Sequence, residues 1–169
     1  MFSVFVPILF MVGLTVTVEV FLVLRRKEEA DKDATLLERS ATDNTQYAER
    51  SRKVANNFTN LLELPTLFYV ACVLALLVGA TGWWTGVLTW TFVLSRVLHT
   101  VIHTTINVVM ARFAAYAVGL AALILLWLNV VIEAPGSAVF EIGAQEDLIE
   151  DRLEELEDLQ DAFRAPVRP

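Results

Sequence analysis

The chain has one cysteine, two histidines, seven glycines and five prolines in 169 residues. A single thiol excludes an intrachain disulfide and a cysteine metal cluster, and Cys72 lies inside an apolar run. There is no basic arm of the kind that would favour nucleic acid, no internal repeat and no low-complexity segment. Charge is scarce as well. Charged residues make up 20% of the chain against 56% hydrophobic, a balance that argues against a water-soluble enzyme.

The charge that is present is unevenly placed. Residues 1–133 carry 10 acidic and 10 basic side chains, whereas residues 134–169 carry 10 acidic and 3 basic, so the whole net charge of −7 belongs to the tail. Crossing a bilayer as a helix takes ~20 mostly apolar residues, and four stretches qualify: about 2–24, 61–80, 87–109 and 113–132. The first ends at Arg25-Arg26-Lys27. The second has Glu63 and Pro65 in its first turn and runs into a Gly82-Trp83-Trp84 turn, and the fourth is free of charge. The expected architecture is all-α, an integral membrane four-helix bundle over residues 1–133, with an acidic helical tail over 134–169.

Orientation follows from the placement of Lys and Arg near the helix ends. Residues 25–56 hold eight basic side chains and Arg112 joins them, while the N-terminus and the 80–86 turn hold none. The 25–56 loop and Arg112 are therefore expected on the cytoplasmic side, with both termini opposite. The loop itself, with 8 basic and 7 acidic residues, reads as a solvated, partly helical connector. In the tail, Ile149, Leu153, Leu156, Leu159 and Phe163 form one stripe on a helix over 145–163, a surface suited to another tail or a partner protein.

Ionisable groups at membrane depth cost at least ~2.5 kcal/mol on insertion scales and persist where they face protein, water or a ligand. The third span carries several of them. At 100° per residue Arg96, His99, His103 and Asn107 fall within about 80° of one another, on one helical face. Asn60 and Glu63 share a face near the start of the second span, and Arg112 and Tyr116 share one where the fourth begins. Three readings fit. The groups are interhelical glue with a Glu63–arginine salt bridge, or a metal site built on His99, His103 and Glu63, or a binding site for a charged ligand. The first needs fewer permanent charges than the sequence supplies, and the second is limited by there being two histidines in all.

These residues also carry a resemblance. Arg96-Val97-Leu98-His99-Thr100-Val101-Ile102, followed by Arg112 and Tyr116, resembles a stretch of the membrane-associated proteins in eicosanoid and glutathione metabolism, the MAPEG family, which includes microsomal glutathione transferase and microsomal prostaglandin E synthase. Asn60-Leu61-Leu62-Glu63-Leu64-Pro65 is similar to the family's Asn-x-x-Glu followed by proline, and Glu49-Arg50 with Arg52 and Lys53 resembles its preceding basic run. Asn56 stands where the family usually has arginine, and His103 where the eukaryotic enzymes have a tyrosine.

The resemblance implies a homotrimer holding glutathione between subunits near the cytoplasmic side, with a lipophilic second substrate arriving from the bilayer. It implies Arg52 or Lys53 and Arg96 on the carboxylates, Glu63 and Asn60 on the ammonium, and Arg112 with Tyr116 as the catalytic pair at the sulfur, with His99 and His103 lining the site. The expected function is a glutathione-dependent transferase or peroxidase. The alternative is a non-catalytic membrane subunit of the same fold that docks a partner through its acidic tail.

Overall fold

The computed structural model describes residues 4–134 together with Arg152, Leu153 and Leu156. Four long helices and one short one account for nearly all of the first stretch: α1 (Phe5–Lys32), α2 (Leu36–Arg39), α3 (Glu49–Leu77), α4 (Trp83–Thr104) and α5 (Val109–Glu133), with a 3₁₀ turn at Asn44–Gln46. The chain divides into two units, residues 1–133 and 134–169. The tail helix expected over 145–163 lies mostly outside the described residues, of which Arg152, Leu153 and Leu156 are helical.

Each long helix buries a stripe. On α1 it is Pro7, Met11, Val18 and Leu22, and on α3 it runs from Val54 through Leu61, Leu64, Phe68 and Ala71 to Ala75. These meet around Phe68 and Phe92, whose rings stack with centroids 4.5 Å apart. Of the apolar stretches of α1, α3, α4 and α5, the buried shares are 22%, 33%, 50% and 33%. Half or more of each apolar stretch therefore lies outside the core, which is stable in lipid rather than in water. The protein is a multi-pass integral membrane protein.

Two close approaches fix α5 against α4. Gly119 lies so near Ser95 that a Cβ there would collide with its hydroxyl oxygen, and Asn129 donates to Thr85 Oγ1 at 3.0 Å near the other end. At the connector end, the Glu29 carboxylate accepts from the backbone N–H of Ala48 at 2.9 Å and from the Ser51 hydroxyl at 2.5 Å, so α1 supplies the acid that caps the start of α3. The folded connector is anchored through Arg26, which donates to Asn44 at 2.9 Å and lies 4.6 Å over the buried ring of Tyr47.

The observed boundaries differ from those expected in an instructive way. α3 starts at Glu49 rather than at residue 61, because its first turns are polar on the outside yet bury Val54 and Asn57, which hydropathy alone does not credit. Pro65 is consequently inside a helix, buried, and not in a first turn. Trp83 and Trp84 open α4 instead of forming the turn before it. α4 ends at Thr104 and α5 begins at Val109, so Asn107 is in the intervening turn, with φ +51°, and off the helical face to which periodicity assigned it.

Candidate functional site

A cleft of about 550 Å³ opens between α3, α4 and α5 at the connector end of the bundle. α4 contributes His99 and His103, four residues apart and hence on the same face. α5 contributes Arg112 and Tyr116 by the same spacing, with Val109 and Phe113 as an exposed apolar rim. Asn56, Thr59 and Asn60 of α3 form the facing wall.

The hydrogen bonding fixes the important groups. Arg112 donates from Nη1 to Asn107 Oδ1 at 2.8 Å, which holds the guanidinium at the cleft. The backbone carbonyl of Arg112 accepts from His99 Nδ1 at 3.1 Å. A carbonyl can only accept, so this ring carries a proton on Nδ1 and turns Nε2 away from that bond. That Nε2, though buried, has no partner among the described residues, and neither has Nδ1 of His103. The two imidazoles stand edge to face with centroids 5.5 Å apart.

Arg96 lies outside the cleft lining. It is fully buried, with its guanidinium carbon 4.7 Å from the Tyr116 ring and 5.3 Å from the Phe92 ring. Among the described residues none of its three side-chain nitrogens has a hydrogen-bond partner. Stacking on two rings offsets part of the desolvation of this charge but satisfies none of its donors.

Of the residues singled out in the sequence, Asn60, His99, His103, Arg112 and Tyr116 come together. Arg52 and Lys53 line an adjoining cavity of about 380 Å³ that shares Asn56 and Thr59 with the cleft, and Lys53 is paired with Glu49 at 2.7 Å. Glu63 does not join them. It is an exposed residue of α3, makes no salt bridge among the described residues, and leaves the cleft without a carboxylate. The physical reason is helical phase: α3 buries Leu61, Leu64 and Pro65, which turns position 63 outward. Among the described residues no group of three His, Cys, Asp or Glu could hold a metal ion.

Reading by sequence missed Thr59, Val109 and the role of Asn107. It also missed Asn57, which is fully buried and exchanges hydrogen bonds of 3.3 and 3.4 Å with Thr100, joining α3 to α4 directly behind the cleft wall. The available signal was Val54, which extends the Leu61 and Leu64 stripe backward at helical spacing and so carries the helix through Asn57.

A family model for MAPEG matches residues 4–132, which takes in every residue of the cleft. The chain belongs to the MAPEG family. Membership places it among membrane proteins associated with eicosanoid and glutathione metabolism. No curated protein and no solved structure gives a significant match.

Proposed function

We propose that the chain is a glutathione-dependent transferase or peroxidase acting on lipophilic electrophiles, working as a homotrimer. The observation that carries the reading is the fixed Arg112 guanidinium in a cleft with Tyr116 and a buried His99 Nε2 that has no partner among the described residues. Glutathione when bound would supply a thiol nucleophile. Arg112 favours the thiolate over the thiol by charge, and the Tyr116 hydroxyl is a donor within the same cleft. Asn56, Asn60 and Thr59 offer neutral donors and acceptors to the peptide, and Arg52 in the adjoining cavity is a cation for a carboxylate. The exposed rim of Val109 and Phe113 gives a lipophilic partner an apolar approach.

The trimer is supported by Glu63. A carboxylate exposed at the start of the apolar part of α3 is costly against lipid and calls for a neighbouring subunit or a water-filled interface. The basic side chains of residues 25–56 support a cytoplasmic connector with both termini opposite. Cysteine labelling at position 40 from the cytoplasmic side alone is the expected outcome.

A second reading, a non-catalytic subunit that docks a partner through its tail, is favoured by the same Glu63: within one protomer the cleft has no acid for an ammonium. Glutathione binding to the purified chain, with Arg112→Ala alongside in a conjugation assay using a hydrophobic aryl halide, tests the two. The enzyme reading expects Arg112→Ala to lower turnover far more than glutathione affinity. Absence of both binding and turnover in correctly assembled protein would overturn the enzyme reading and favour the second.

A further inference from the structure

A cavity of about 520 Å³ lies between α1, α3 and the end of α4, and it shares no lining residue with the cleft. Arg25, Arg50 and Lys53 supply its charge, and Val54 and Phe21 its apolar surface. Lys53 is paired with Glu49, but Arg25 and Arg50 make no salt bridge among the described residues. The hydrogen bonds of the nearby acids go elsewhere, Glu28 to Lys32 at 2.9 Å, Asp31 to Lys27 at 2.8 Å and Glu29 to the start of α3, although Glu28 also lies close enough to Arg25 to interact with its charge. Thr104 and Thr105 donate their hydroxyl protons to the carbonyls of Thr100 and Val101, at 2.8 and 2.5 Å, so the guanidinium groups of Arg25 and Arg50 are the principal donors that remain.

Position decides what this cavity meets. The apolar run of α1 ends at Leu24, and Val20, Phe21 and Leu24 are exposed, so the mouth sits where lipid tails give way to headgroups. Guanidinium groups match phosphate oxygens in two-point contacts, and basic cavities between membrane helices at this depth suit phosphate-bearing headgroups. The Arg25 guanidinium, 5.0 Å over the Phe21 ring, is already held at the boundary of apolar and charged surface.

We propose that the cavity of Arg25, Arg50 and Lys53 binds the phosphate of an anionic phospholipid headgroup, whose acyl chains lie along the exposed face of α1. Neither Arg25 nor Arg50 takes part in the glutathione reading, so each can fail without the other. The full-length chain, purified and delipidated in detergent, is titrated with short-chain phosphatidylglycerol, with phosphatidylcholine and with inorganic phosphate. Phosphatidylglycerol is expected to bind tightest and to raise Tm. The Arg25→Gln/Arg50→Gln variant should lose roughly thirty-fold in that affinity, about five-fold per cation, with phosphatidylcholine binding unchanged. Equal binding of the two lipids, or an unaltered variant, overturns the site; full stabilisation by inorganic phosphate overturns its assignment to lipid. Hydrogen exchange on the wild type covers a variant that fails to fold: phosphatidylglycerol should slow exchange at residues 20–25 and 50–54, and no change there also overturns the proposal.

Discussion

The side chain of Asn107 accepts a 2.8 Å hydrogen bond from Arg112, so the cation of the cleft is oriented by a residue outside both flanking helices. Asn107 has φ +51°, a left-handed conformation that asparagine and glycine tolerate better than other residues. The turn and the placement of Arg112 therefore depend on one side chain. Asn107→Gly keeps the backbone and removes the acceptor, whereas Asn107→Asp keeps both. If Arg112 acts on the thiol, Asn107→Gly should lower kcat by roughly ten-fold with little change in KM, since a hydrogen bond to a charged group contributes ~1.5–3 kcal/mol. Asn107→Asp should restore most of that kcat.

Gly119 sets the approach of α5 to α4 beside the buried Arg96. An added methyl group would meet the Ser95 hydroxyl oxygen, with Ser95 Cβ at 3.4 Å and Arg96 Nε at 3.5 Å beyond it. Gly119→Ala should destabilise the bundle by about 1–3 kcal/mol, the usual effect of overpacking. Ser95→Ala in the same chain should recover part of the loss, because it removes the colliding atom. Thermal unfolding of the two single variants and the double gives the coupling between the sites directly.

Glu29 ties the end of α1 to the start of α3 by two hydrogen bonds. Glu29→Ala should cost about 1 kcal/mol, as loss of a helix cap does, and the loss should be local. Faster amide exchange confined to the first turn of α3, with the apolar part of that helix unchanged, is the expected pattern.

Asp43 gives the connector a pH dependence of known sign. Its carboxylate accepts from Thr45 N at 2.8 Å, Thr45 Oγ1 at 2.7 Å and Gln46 Nε2 at 3.0 Å, and these bonds, led by the Thr45 hydroxyl, hold its pKa at about 2 against an ordinary 3.8. A depressed folded value stabilises the charged form, so the contribution is complete above the ordinary value and fades as pH falls from about 4 to about 2. A carbon-detected NMR titration should put the Asp43 midpoint near 2, with the Thr45 amide shift following it. Asp43→Asn should abolish that dependence.

Much of this molecule follows from chain chemistry alone. Four apolar stretches long enough to cross a bilayer leave helices as the solution because every backbone polar group in lipid must be satisfied within its own segment. The four-residue spacings that unite His99 with His103, and Arg112 with Tyr116, are properties of the helix and were legible before any packing was known. Three things were decided only by tertiary structure. Glu63 faces outward because α3 chose Leu61 and Leu64 for the core, and in a helix apolar on several sides periodicity cannot say which side is inside. α3 extends back to Glu49 because Glu29, distant in sequence, caps it and Asn57 finds Thr100 on α4. Asn107 leaves the α4 face because the chain must reverse there into α5, and it is that reversal which brings its side chain to Arg112.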